Sequence, residues 1–325
     1  MNKSNDELMM ETMYWWGIPT LFRCPHQTNP SKCDIALVGV PHSTGNGTTE
    51  RDQHLGPRAV RNVSAGLRRV HLDFKINPWE KKIIHDLGDV PLPEANNNEK
   101  CIEDITRYYE KIAIAKKNVV SIGGDHSITG GILQGLSHNN LSLTNGKKIS
   151  FLHIDAHTDT YHQLDHFLGA KKSAAHWGSY LVQDGIIDAS SSMQIGMRGN
   201  PRSLNWLQPS YDLGYNVVTM QEFRKRGIEE VIKETLEKLG DNPIYITFDL
   251  DSLDASVAPA VANIEPSFKG FSIDEAKSLI QCVKNKNVIG GDVVCLMPTK
   301  DNPNNITSMI AASIMFEIIS VIATK

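Results

Sequence analysis

The chain has 325 residues and a formal charge of −4, with 33 basic and 37 acidic side chains spread along its length. That balance argues against nucleic acid or an anionic membrane surface as the main partner and favours a small polar substrate. Five cysteines, Cys24, Cys33, Cys101, Cys282 and Cys295, form no CxxC pair, so neither a disulfide framework nor a thiolate zinc site is expected, and a reducing cytoplasm is the simplest setting.

The first residues, MNKSNDELMMETMYWW, lack a basic region followed by an apolar one, and no run is expected to approach the roughly 18 apolar residues of a membrane span. A soluble, unexported protein is the expectation. Residues 1–33 read as an N-terminal arm: WWGIPTLFRCP is bulky and aperiodic, and the polar HQTNPSK separates it from a single domain over 34–325. Short apolar runs then recur at 34–40, 82–88, 118–124, 149–155, 192–197, 215–220, 244–250 and 287–296. Runs apolar on both faces suit strands of a parallel sheet covered by helices. Helical spacing marks 97–117, 227–240 and 272–285, and the terminal 306–323 also reads as a helix. The alternation predicts a three-layer α/β/α domain with a mainly parallel sheet, without internal repeat or interdomain linker.

Three of these strands run into ionisable groups. Asp125 and His126 follow the 118–124 run; Asp155, His157 and Asp159 follow 149–155; Asp249, Asp251 and Asp254 close 244–250. The carboxyl ends of parallel strands share one edge, where ligand sites form. Alternate residues of an extended segment point to the same side, so Asp155, His157 and Asp159 can reach one point, as can Asp249 and Asp251. Carboxylates crowded in this way repel one another unless cations neutralise them. Mixed carboxylate and imidazole ligands suit Mn²⁺, Ni²⁺, Fe²⁺ or Zn²⁺, and a pair of ions sharing carboxylates fits the number of ligands.

The order GGDHS, DAHTD, FDLDSLDAS resembles the ureohydrolase superfamily of arginase, agmatinase and related guanidino-group hydrolases. The likeness runs from about Asp34 to the C-terminus and includes GTTERDQHLGPRAVR (47–61) and MQIGMRG (193–199). It implies one metal on His126, Asp155, Asp159 and Asp249, and another on Asp155, His157, Asp249 and Asp251, with Asp155 and Asp249 bridging. Asp125 and Asp254 match positions that stabilise turns or orient ligands. Two such cations sharing a water would lower its pKa towards about 7 and supply a hydroxide to attack a guanidinium carbon, releasing urea and an amine. The family's usual assembly is a homotrimer or homohexamer.

The resemblance also suggests His176, in SAAHWGSY, as the proton shuttle, with His162 and His166 as rivals. It suggests Glu275, in GFSIDEA, as the carboxylate holding the guanidinium; Ser272 and Glu275 also have capping-box spacing. The substrate end departs from agmatinases. APAVANIEPSFKG replaces a glycine-rich segment, and VVCL carries Cys295 where a carboxylate is usual, which disfavours an ammonium tail. The Ser/Asn-rich loop by which arginases hold arginine is absent. These features, with TGNGTTERDQHLGPRAVR and the WWGIPTLF arm, look most like the guanidine-hydrolase branch, whose members favour nickel. A small pocket for guanidine or a short alkylguanidine is expected, lined by Trp177 and closed by Trp15 or Trp16. Behind guanidine stand 4-guanidinobutyrate, 3-guanidinopropionate or agmatine, then a formimino group; a non-catalytic subunit is the remaining alternative.

Overall fold

The computed structural model describes residues 4, 5, 9, 13–46, 50–137, 143–266 and 269–325; residues 47–49 of the early loop and 267–268 of the substrate loop lie outside them. Eight strands are present: β1 (Ile35–Val40), β2 (Ile84–Asp89), β3 (Asn118–Gly123), β4 (Ser150–Ile154), β5 (Met193–Met197), β6 (Asn216–Thr219), β7 (Ile244–Asp249) and β8 (Val288–Val294). Each overlaps one of the apolar runs. All pair in parallel, in the order β2-β1-β3-β8-β7-β4-β5-β6.

Side chains alternate across this sheet. Ile35 and Leu37 enter one buried layer, whereas Ala36, Val38 and Val40 enter the other, which is why the runs are apolar throughout rather than at every second residue. The second layer is closed by α3 (Asn98–Ile114), α4 (Ile128–Leu136) and α5 (Trp177–Gln183). The first is closed by α1 (Gly56–Ser64), α7 (Met220–Arg226), α8 (Ile228–Leu239), α9 (Ile273–Gln281) and α10 (Ile306–Ala323), while the short α2 (Pro78–Lys81) and α6 (Gln208–Leu213) lie in connections. The helices α1, α2, α4, α5, α6 and α7 have no counterpart in the sequence expectation. They are short, and α4 reads ITGGILQGL, where glycines hide the helical signal.

The closing helix corrects one expectation. Ile306–Ala323 is by length and composition apolar enough to cross a membrane, with a mean hydropathy of 2.0, but 78% of it is buried inside the protein. A helix apolar all round belongs in a core or a bilayer, and this one packs on the sheet. Its one acidic residue, Glu317, is buried but accepts from His71 Nε2 and Gln281 Nε2, each at 2.8 Å. The Asp301 carboxylate receives the backbone N–H groups of Thr307 and Ser308 at its N-terminus, where a negative charge is favourable.

Residues 20–33 of the arm are bound to the domain through Asp86 on β2. Its carboxylate accepts from Leu21 N at 2.8 Å and from Arg61 Nε at 2.9 Å, and its backbone pairs with Pro25 and Gln27. The Arg61 guanidinium, with donors to spare for two oxygens, holds Asp86 below the usual carboxylate range against the opposing effect of burial. Replacing Asp86 with Ala removes two hydrogen bonds of the mostly buried Arg61 and leaves it the half-exposed Asp89 as carboxylate partner, a loss of about 3 kcal/mol. A lowered midpoint in urea unfolding with an unchanged slope is the expected reading.

Candidate metal centre and its cavity

The central strands β3, β7 and β4 end at one edge of the sheet, and each is followed by a turn that presents its acidic or imidazole groups. After β3, a Cβ at Gly124 would overlap the His42 carbonyl oxygen, so only glycine lets the chain turn close enough to place His126. Asp125 then holds the turn by accepting from Gly45 N at 2.8 Å and Ser127 N at 2.9 Å. After β4 and β7 the same device recurs: Asp155 Oδ1 accepts from His157 N at 2.7 Å, and Asp249 Oδ1 from Asp251 N at 2.9 Å. Each carboxylate thereby keeps its second oxygen for the interior. Asp254 stabilises the turn after them through Ser256 N.

The six expected ligands come together. His126 Nδ1 lies 2.9 Å from Asp155 Oδ2, 3.0 Å from Asp159 Oδ2 and 3.3 Å from Asp249 Oδ2. His157 Nδ1 lies 3.2 Å from Asp251 Oδ2 and 3.5 Å from Asp155 Oδ1. Asp155 belongs to both groups, as a bridging ligand must. Asp159 takes a left-handed backbone, φ 51°, a conformation that costs energy and concentrates at functional sites.

The donor set fits divalent cations. His126 Nε2 meets Thr247 Oγ1 at 2.8 Å, and that hydroxyl donates to Asp292 at 2.7 Å, so the imidazole keeps its proton on Nε2. Nδ1 is then a buried lone pair without a hydrogen-bond partner, facing three carboxylate oxygens. Burial disfavours the imidazolium of His126, yet the Asp155, Asp159 and Asp249 carboxylates, placed to accept from Nδ1 once it is protonated, outweigh it and push its pKa well above the usual value. Asp251 is pushed well above the carboxylate range, by burial first and by the neighbouring Asp249 charge next. Protons are drawn to places where a cation would remove the repulsion.

His153 is a member of the cluster that the sequence reading missed. It stands two residues before Asp155 on β4, so the alternation that groups Asp155 with His157 also puts His153 on that side. Its Nε2 lies 2.8 Å from Asp155 Oδ2, and its Nδ1 lies 3.2 Å from Gln194 Nε2. With Gln194 donating to Nδ1, His153 donates to Asp155 and fixes its orientation, as outer groups do around metals.

Seven expected residues stand elsewhere. Glu275 is outside the cavity: its carboxylate receives Ser272 N and Oγ, closing the capping box of α9, and pairs with Arg224. Local helix capping therefore decides this side chain. His176 is buried, with Nδ1 2.8 Å from Ser173 Oγ and Nε2 2.9 Å from the Leu164 carbonyl; both nitrogens brace the 160–176 loop, and burial lowers its pKa. Trp177 is fully buried and is not among the residues lining this cavity, but its Nε1 donates to Asp159 Oδ2 at 2.8 Å, so it positions a ligand. Trp15 and Trp16 are exposed and are not among the residues lining this chain's cavity, nor are the exposed His162 and His166.

The cavity above the cluster has a volume of about 760 Å³, far more than guanidine fills, which corrects the expected small pocket. Its aromatic lining is Tyr161, Phe167 and Trp206. Asn200, Arg202 and Asn205 come from the segment after β5, and Asn263 and Glu265 from the substrate loop. The strand-end rule applied to β5 would have found the first group. Arg198, in the same segment, is buried and donates to the carbonyls of Asp251, Ser252, Leu253 and Glu265. Cys295 also lines the cavity, with φ 69°, and burial pushes its thiol pKa well above the ordinary value, reinforced by the Asp249 and Asp251 charges.

Fold and site together define a class, the parallel α/β/α hydrolases with a two-metal centre at the strand ends. The chain belongs to the arginase family, whose model matches residues 33–320. It is 32% identical over 307 residues to the mitochondrial agmatinase of Gallus gallus, covering 94% of this chain and 86% of that one. It is 33% identical over 304 residues to the mitochondrial guanidino acid hydrolase of Homo sapiens, covering 93% and 82%. Among solved structures, the proclavaminate amidino hydrolase of Streptomyces clavuligerus superposes with a TM-score of 0.86 at 27% identity, over 96% of this chain and 99% of that one. The chain is accordingly a hydrolase of guanidino C–N bonds, a reaction that releases urea.

Replacing Asp155 with Ala removes the oxygens shared by both groups and is expected to abolish metal retention after dialysis. His153→Ala keeps all six ligands and should weaken metal binding about 10- to 100-fold. Glu275→Ala should leave metal content unchanged while costing about 1 kcal/mol of stability through the lost hydrogen bond to Ser272 N. Elemental analysis alongside thermal unfolding distinguishes the three.

Proposed function

We propose that the substrate is a small guanidino compound whose remainder carries no positive charge: guanidine or a short alkylguanidine, or a guanidino acid whose carboxylate meets Arg202. The observation that carries this reading is the charge of the cavity lining. Beyond the metal cluster the described lining residues offer Arg198, Arg202 and uncharged amides, with Glu265 close to His157 as the acidic exception. No carboxylate stands at the far end to receive an ammonium such as agmatine's, and Cys295 adds none.

His126, Asp155, Asp159 and Asp249 would hold one divalent cation, and Asp155, His157, Asp249 and Asp251 the other, with Mn²⁺ and Ni²⁺ both suited to such ligands. When bound, the pair would lower the pKa of a shared water and so supply a hydroxide nucleophile for the guanidinium carbon at neutral pH. The chain's own part is to orient and to exclude water. Trp177 and His153 fix Asp159 and Asp155, Arg198 fixes the Asp251 turn, and Tyr161, Phe167 and Trp206 wall the substrate.

Urea release from guanidine, methylguanidine, 3-guanidinopropionate, 4-guanidinobutyrate, agmatine and arginine, measured with Mn²⁺ and Ni²⁺ loaded separately, tests this reading. Agmatine and arginine should be the poorest substrates in kcat/KM, by at least tenfold. Agmatine as the best substrate would overturn it. Formamide from a formimino compound, with no urea from any guanidino compound, would replace it.

If a guanidino acid is the substrate, Arg202→Ala should raise its KM about tenfold while leaving guanidine unaffected, because only the acid loses a counter-charge. Equal effects on both would remove Arg202 from the tail subsite.

A further inference from the structure

A guanidinium is best received by a carboxylate oxygen that its N–H groups can reach in a charge-assisted hydrogen bond. Most carboxylates in this cavity are already engaged. Asp159, Asp249 and Asp251 converge with Asp155 on the two histidines, and Asp125 holds its own turn. Position 295 is a thiol, and Glu275 caps α9 against Arg224. Glu265 is the remaining acidic residue among the described lining residues.

Its seat is a built one. The carboxylate lies over Gly199, where φ is 107° and an added Cβ would collide with Oε2 and stand 2.8 Å from Cδ. The space exists because residue 199 has no side chain. Arg198 Nε donates to the Glu265 carbonyl at 3.1 Å while the rest of its guanidinium holds the carbonyls of Asp251, Ser252 and Leu253, so one buried side chain ties the substrate loop to the metal-ligand turn. Oε1 is 3.3 Å from His157 Nε2, on the far side of the ring from the nitrogen that faces Asp251. Oε2 meets no donor among the described residues, and the side chain stays 24% exposed.

We propose that Glu265, seated on Gly199 beside His157, is the acceptor for the substrate's guanidinium in this chain. This rests on the guanidino-hydrolase reading above and gives the substrate loop its function: it brings to the cavity wall the charge that Cys295 lacks. One oxygen orients His157 and the other takes the cation.

Glu265→Gln keeps the shape and an acceptor for His157 but removes the charge. In metal-loaded protein, the Kd of methylguanidinium from a saturation-transfer NMR titration, completed within minutes, is expected to rise at least tenfold. KM for the best guanidino substrate should rise by a similar factor, kcat should change less, and the metal content should stay at the wild-type value. Glu265→Asp, which keeps the charge on a shorter arm, should recover part of the affinity. An unchanged Kd with weakened metal retention would show that Glu265 only orients His157 and would overturn the proposal, as would wild-type protein that binds no methylguanidinium. Wild-type binding that depends on Glu265 without any urea release would sustain it while refuting the hydrolase reading.

Discussion

Mutual repulsion of buried carboxylates is the constraint on which this structure turns. Asp155, Asp159, Asp249 and Asp251 are all nearly inaccessible to solvent, and the chain gives up folding free energy to bring them together. Backbone N–H donors and the histidines compensate part of that cost, and divalent cations account for the rest. The left-handed backbone at Asp159 and the buried, unpartnered Nδ1 of His126 are further signs that the arrangement serves a ligand.

The rest of the fold can be understood as the support for that crowding. A parallel sheet is the architecture in which distant segments, here the ends of β3, β4 and β7, deliver side chains to one edge without long loops. The order of the strands places β8 between β3 and β7, so Cys295 is at the centre of the same edge. Outside the ligands, a ring of neighbours holds them in place: Trp177 donates to Asp159, His153 donates to Asp155, and Thr247, itself bound to Asp292, accepts from His126. The apolar helix α10 lies against the sheet behind this edge.

The substrate side shows why a motif carries less information there. Metal ligands must satisfy a fixed chemistry at a fixed point, which leaves a strong mark on local sequence. A cavity wall needs only volume and charge, and different segments can supply these. Glu275 has the composition of a binding carboxylate, yet Ser272 three residues earlier and Arg224 from another helix bind it first. Trp177 looks like a pocket liner beside His176, but it is packed into the core with only its Nε1 directed at the site. Asn200, Arg202, Trp206 and Glu265, which do line the cavity, belong to loops with no periodicity to mark them.

By itself, the sequence determined the eight strands, the layer arrangement and the six groups at the metal centre. Runs apolar on both faces follow from a parallel sheet covered by helices, alternating ionisable groups follow from strand geometry, and the resemblance to the arginase family singled out the six among them. Tertiary structure decided the use of the remaining side chains. Whether Arg224 reaches Glu275 and whether Gly199 leaves room for Glu265 depend on contacts between segments tens of residues apart. Hydrogen bonds and steric space act through a few ångströms of separation, and no local pattern in a linear chain records them.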